Sequence, residues 1–147
     1  MPVYFVAMAL IVIADQLVKH AVVGSIRLNT SISVIDGVLS LAHIRNYGAA
    51  WSMLLGQMWF FVIISVVSLA VMGYFFRKLQ GKVLYLAGLT LMIGGTVGNF
   101  IDRLRLGYVV DMFQLDFINF PIFNVADCAL TIGVVVLLIA MLRDDSL

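Results

Sequence analysis

The chain has 147 residues, 63% of them hydrophobic and 12% charged, with a net charge of +1 and a mean hydropathy of +1.12. So short a chain cannot hide that much apolar surface in a core of its own. A water-soluble domain is therefore excluded, and an integral membrane protein of one domain, residues 1–147, is expected.

In chain order, the first apolar stretch is Val3–Val23, interrupted late by Asp15, Lys19 and His20. A cleaved secretory signal would carry basic residues before its apolar run and small residues at a cleavage site after it. No Lys or Arg precedes Val3, and DQLVKH stands where cleavage would fall, so the stretch reads as a retained helix. Asp15 and Lys19 share one helical face with the acid first, the order that favours pairing.

Ser33–Val38 (SVIDGV) places an Asp-Gly turn between β-branched residues, a hairpin signal. Val38–Arg45 is strand-like with imperfect alternation. Gly48–Leu55 (GAAWSMLL) reads as a short amphipathic helix, with Trp51 suited to the headgroup region. Met58–Phe76 and Val83–Ile101 are uncharged, 19 residues each, so each spans roughly 30 Å as a helix.

Between those two, Arg77–Lys82 carries three cations and no acid, which puts this loop and both termini in the cytoplasm. Arg27, Arg45, Arg103 and Arg105 then lie outside, against the same rule, and call for a separate role. Asp102 and Arg103 end the third span. Tyr108–Phe113 is β-rich and can pair with the earlier strands, and Val125–Leu142 is the last span. The expected fold is mainly α: four transmembrane helices (3–23, 58–76, 83–101, 125–142), a small extracytoplasmic β-sheet and a short interfacial helix.

Ionisable groups near membrane depth are costly, about 2.5–3.5 kcal/mol each at a helix centre. Asp15 with Lys19 is explained by pairing or by position at an interface, whereas Asp102 and Arg103, at the end of the third span, fit pairing or hydrogen bonding and catalysis equally. Asp111 and Asp127, 16 residues apart, have no basic neighbour in sequence, although Arg103 could reach them in space. Asp127 suits the first turn of the last helix on helix-dipole grounds alone. Both, however, map to one rim of the membrane. Two carboxylates in a poorly solvated cleft share a proton, so that one takes a proton from water while the other donates to a carbonyl.

Other catalytic patterns are absent: there is no HExxH, no G-x-S-x-G, and no phosphate-binding glycine loop. Cys128 alone excludes an internal disulfide and a Cys-based zinc site, and reads as a small filler in a helix. His20 and His43 have no ligand spacing. The near-neutral charge argues against nucleic acid as a partner. Gly94, Gly95 and Gly98 read as small residues for close helix packing, bordering, with Asn99, a lipid-facing slot.

Taken together, Gly94-Gly95-x-x-Gly98-Asn99-x-x-Asp102-Arg103, Gly107-x-Val109-Val110-Asp111 and Phe120-Pro121-x-Phe123-Asn124-x-Ala126-Asp127 resemble the signature of lipoprotein signal peptidase. This family, signal peptidase II, consists of bacterial four-helix intramembrane aspartic proteases. Asp15-Gln16-x-x-Lys19 and Asn46–Ser52 agree with it. The resemblance implies a catalytic dyad of Asp111 and Asp127, supported by Asn99, Arg103 and Asn124, with Asp15, Lys19, Asn46 and Asp102 lining or bracing the site.

It implies as substrates the prolipoproteins that carry a thioether-linked diacylglyceryl group, cut just before the modified cysteine. It also implies a bacterial cytoplasmic (inner) membrane location, membrane lipid as surroundings, no metal or other cofactor, and a monomer. The sheet corresponds to the family's β-cradle. Tyr47, Trp51 and Met112 depart from the usual residues and bear on the shape of the cleft. A proton-conducting bundle would instead need acids at midplane depth, and a non-catalytic assembly factor would need no paired aspartates. Presenilin-like and prepilin peptidases carry a Gly-x-Gly-Asp motif where this chain has Val109-Val110-Asp111.

Overall fold

The computed structural model describes residues 1–48 and 56–144. The expected interfacial helix, Gly48–Leu55, lies almost wholly outside the described residues. Four helices are long and apolar enough to cross a bilayer: α1 (Pro2–Ser25), α2 (Met58–Lys78), α3 (Val83–Leu106) and α4 (Val125–Leu142). Three strands, β1 (Ser31–Ile35), β2 (Leu39–Asn46) and β3 (Val109–Leu115), form one antiparallel sheet in the order β1-β2-β3. The chain is thus an integral membrane protein of mainly α class with a small sheet at one end of the helices.

α3 is the central helix, packing against α1, α2 and α4, and it owes that place to its glycines. Apolar side chains gain nothing by leaving lipid for one another, so helices associate where small residues let them approach. A Cβ on Gly95 would collide with the Ala126 carbonyl oxygen, and one on Gly88 would lie 2.7 Å from Leu137 Cγ on α4. A Cβ on Gly98 would lie 2.7 Å from Asp15 Oδ2 on α1. At the other end of the bundle, Met72 and Phe76 of α2 pack with Leu86 and Leu89 of α3. The outward sides of α1, α2 and α4 are lined by exposed apolar residues such as Leu10, Ile63 and Leu138, as a lipid-facing surface requires.

α3 runs past the span read from the sequence and stops at Gly107, whose left-handed conformation (φ 74°) caps the helix C-terminus. Asp102 and Arg103 therefore stand inside the last turns rather than at the helix end. Arg103 and Arg105 there complement the negative end of the helix dipole. In the hairpin, Gly37 takes φ 70° at the turn and Ser33 Oγ donates to Asp36 Oδ1 at 2.6 Å. The imperfect alternation of β2 has a structural cause. Its register against β3 shifts between Leu41 and Ile44, so Ala42 and His43 are both buried. Arg45, unexplained by topology, lays its guanidinium 4.8 Å from the Tyr108 ring centroid.

Beneath the sheet is a buried polar cluster. Lys19 Nζ lies 2.9 Å from Asp15 Oδ2 and 2.9 Å from Asp102 Oδ2, all three side chains being almost fully buried. Gln16 Nε2 donates to Asp102 Oδ1 (2.9 Å) and Asp15 Oδ2 (3.2 Å). Removing one member of a buried ionic cluster leaves an uncompensated charge, at a cost of about 3–5 kcal/mol. Lys19→Met should lower unfolding stability in detergent by about that amount, measured by thermal melting. Asp15→Asn should lose less, because Asp102 still compensates the lysine.

Candidate active site

Four elements converge on one point: the end of β2, the middle of β3, the last turns of α3 and the start of α4. Asp111 projects from β3 and Asp127 from the first turn of α4. Asn124 joins them. It is the N-cap of α4, its Oδ1 accepting the Asp127 N–H at 2.9 Å while its own N–H donates to Asp127 Oδ2 at 3.1 Å. This reciprocal capping box satisfies two helix-end donors. The same side chain turns its Nδ2 to Asp111 Oδ1 at 2.7 Å, so one residue holds both carboxylates, Asp127 by its backbone N–H and Asp111 by its side-chain amide.

The other oxygens are held as firmly. Asn99 Nδ2 donates to Asp127 Oδ1 at 2.8 Å, and Asn46 Nδ2 donates to Asp111 Oδ2 at 2.9 Å. An Asn amide can face either way, and what fixes it is a partner that only donates. Asn99 Oδ1 accepts from Lys19 Nζ (3.0 Å), Asn124 Oδ1 accepts a backbone N–H, and Asn46 Oδ1 accepts the Gly48 N–H at 2.9 Å. Each amide is thereby turned with its N–H groups toward a carboxylate.

The buried polar cluster positions the backbone as well. Asp15 Oδ1 accepts the N–H of Ala126 at 3.0 Å, and Asp102 Oδ2 accepts the N–H of Val110 at 3.1 Å. Those are the residues immediately before Asp127 and Asp111. Lys19 thus reaches each aspartate by a path of the same kind. Val110 and Met112, on the other face of β3, pack against Val22 of α1 and Ile26 just beyond it and lock the strand from behind.

Asp111 is 3% exposed, and burial pushes its carboxyl up, assisted by the charge of Asp127. The Asn46 and Asn124 amides and Lys19 pull the other way, and the balance stands at about 7.

A cavity of about 730 Å³ opens onto both aspartates, walled by α2, α3, α4 and the Phe120–Phe123 stretch. Arg103 lines it without ion-pairing to either aspartate. Its guanidinium lies 5.3 Å from the Phe61 ring centroid, and among the described residues its buried Nε has no hydrogen-bond partner.

Every residue singled out from the sequence is in this assembly: Asp111, Asp127, Asn99, Asn124, Asn46 and Arg103 at the cavity or the dyad, Asp15, Lys19 and Asp102 beneath. One expectation is corrected here. The glycines do not border a slot, because Gly94 faces Ile11 of α1, Gly95 faces α4 and Gly98 faces Asp15. The open side of α3 carries Thr96, Asn99 and Arg103 instead. Cys128, within α4, is half-buried on the cavity wall. Gln16 was missed as a site residue; its place inside the Asp15–Lys19 motif was the available signal.

A small sheet packed on α1 and α3 of four spanning helices, with two carboxylates tied through Asn124 beside it, defines a membrane enzyme. Residues 7–143 match the family model described as signal peptidase (SPase) II. The lipoprotein signal peptidase of Lactiplantibacillus plantarum is 60% identical over 98% of this chain and 97% of its own length. That of Enterococcus faecalis is 48% identical over 97% of this chain and 89% of its own length.

Of the solved structures, a bacterial membrane enzyme determined by the in meso method at 2.3 Å superposes with a TM-score of 0.94 at 38% identity. The match covers 99% of this chain and 91% of that one. The chain belongs to the signal peptidase II family, which is a family of aspartic-type peptidases.

A carboxyl whose folded pKa is raised contributes stability that is fully present below its unfolded pKa and lost as pH rises through the folded value. For Asp111 that window runs from the ordinary 3.8 up to about 7. The melting temperature of the wild type, relative to Asp111→Asn, should therefore fall with rising pH and level off above about pH 8. A flat difference across that range would mean that Asp111 is not the group that holds the proton.

Proposed function

We propose that this protein removes signal peptides from diacylglyceryl-modified prolipoproteins, cutting just before the lipidated cysteine, with Asp111 and Asp127 as the catalytic dyad. The observation that carries the reading is the bridge through Asn124, which sets two carboxylates side by side at a cavity in a membrane protein. The protonated carboxyl donates to the scissile carbonyl oxygen, and the ionised one takes a proton from water as its oxygen attacks the carbon. The tetrahedral diol then collapses: one carboxyl protonates the leaving amine, the other recovers the proton of the new acid, and the dyad is restored.

Asn99, Asn124 and Asn46 hold the carboxylates during these steps, and Asp15, Lys19 and Asp102 brace them. Arg103 lines the cavity without an ion pair to either aspartate and is available to the substrate backbone. Water and two carboxylates suffice for the chemistry, so no cofactor is required. All these groups come from one chain, in keeping with a monomer. The diacyl anchor lies in the bilayer and holds the scissile bond at the level of the dyad, so that its contribution is orientation as much as affinity.

Asp111→Asn and Asp127→Asn should each lower cleavage of a lipidated prolipoprotein at least about a thousandfold, and the double variant should lose little more, because the pair acts as a unit. The same assay should be indifferent to EDTA and slower, even at saturation, on an unlipidated peptide. Near wild-type turnover in either single variant would remove that residue from the dyad, and zinc-reversible inhibition by EDTA would sink the mechanism.

The proposed setting is the bacterial cytoplasmic membrane, with the sheet and dyad on the extracytoplasmic side and both termini in the cytoplasm. Arg77, Lys78 and Lys82 in and beside the α2–α3 turn support that orientation. Gln80→Cys combined with Cys128→Ala should resist an impermeant maleimide in intact cells and react after lysis. Labelling in intact cells would invert the topology.

A further inference from the structure

The cavity extends beyond the dyad toward the middle of the bilayer, between α2 and α4, and there its wall carries hydroxyls. In apolar surroundings a helical Ser or Thr ordinarily turns its hydroxyl back to the carbonyl four residues earlier. Ser65 and Thr90 do this, each at 2.7 Å. Ser68 of α2, Thr96 of α3 and Thr131 of α4 do not, and among the described residues their hydroxyls have no hydrogen-bond partner. All three line the cavity, and Thr96 is only 9% exposed. Ser68 is half-buried and Thr131 exposed. Polar groups without a partner at membrane depth are unfavourable, so three on the walls of one cavity, from three helices, point to a polar occupant.

Their depth indicates which one. Thr131 follows Asp127 by four residues and Thr96 precedes Asn99 by three, so each lies about 4.5–6 Å deeper than its partner at the dyad. A signal segment crosses the bilayer as a helix, but a peptide bond within a helix is closed to attack, so the helix must end before the scissile bond. Its last carbonyls then lose their partners while still in apolar surroundings. At about 3.3 Å per extended residue, the depth of the hydroxyls corresponds to a helix ending about two residues before the cleaved bond.

We propose that Ser68, Thr96 and Thr131 form a donor set that receives the free carbonyls at the C-terminal end of the substrate's signal helix. This rests on the peptidase reading above. The three hydroxyls hold the unwound end in the cavity and so deliver an extended peptide to the dyad. They are substrate-positioning residues, distinct from the groups that exchange protons.

Ester carbonyls of the diacylglyceryl group present the same acceptor chemistry, and the test separates the two sources. Thr96→Val and Thr131→Val keep the shape and delete the hydroxyl, Thr96→Ser and Thr131→Ser keep the hydroxyl, and Ser68→Ala removes the third. Each deletion should lower kcat/KM about threefold to tenfold while the Ser variants stay near wild type. The losses should be the same on a substrate whose two chains are ether-linked and carry no ester carbonyl. Val variants as active as Ser variants would overturn the proposal, as would losses that vanish on the ether-linked substrate.

Should the Thr96 variants fail to fold, Ser68→Ala and the Thr131 pair give the same comparison on α2 and α4. An isotope-edited carbonyl two residues before the cleaved bond, read by infrared in an Asp127→Asn background, should move to higher frequency when Thr131→Val is added; an unchanged frequency would overturn the proposal. If the wild type does not cleave the lipidated substrate at all, the peptidase reading fails first, and this inference with it.

Discussion

The ammonium of Lys19 lies between two buried carboxylates and an amide oxygen, and most of the site depends on where it sits. Its partners Asp15 and Asp102 each use a carboxylate oxygen to hold a backbone N–H, at Ala126 and Val110. The amide oxygen belongs to Asn99, whose other end holds Asp127. A charge removed from water is unfavourable unless its partners are close and fully hydrogen-bonded, and that condition tolerates little displacement. α1, α3, β3 and the start of α4 are therefore fixed relative to one another by a requirement of charge, in a lipid setting where apolar contact alone discriminates poorly between arrangements.

The fold was largely legible because membrane helices announce themselves by length and the hairpin by its Asp-Gly turn. The pairing of Asp15 with Lys19 was legible too, being local. The third member of that cluster, Asp102, was not: it lies more than eighty residues away, and no spacing rule connects it to Lys19. Asn124 illustrates the same limit. Its capping of α4 is a local matter within its own segment, whereas its hold on Asp111 depends on how β3 meets the start of α4. The bulge in β2 blurred the alternation that would have marked Ala42 and His43 as buried.

The glycines of α3 show how a correct local reading can miss its spatial consequence. A residue without a side chain permits close approach, and in this bundle the approach is made by α1 and α4 themselves, so the space is filled. Open volume occurs on another side, where Thr96, Asn99 and Arg103 line the cavity and where α2 packs principally on α3. The tight face of α3 gives the rigidity that holds the dyad in place. The other face leaves room beside it.

The capping box at Asn124 has a consequence for how this enzyme could escape an inhibitor. The residue that starts α4 is also the one that couples the two aspartates, and its amide must face one way to do both. A compound anchored on Asp127 and Asn99, which line the cavity and are both tied to Asn124, would bind groups that serve helix formation and charge burial at once. Substitutions that weakened such a compound there would weaken the protein in the same step. Resistance by point mutation would have to arise on the apolar walls of the cavity, where exchange of one side chain for another is tolerated more readily.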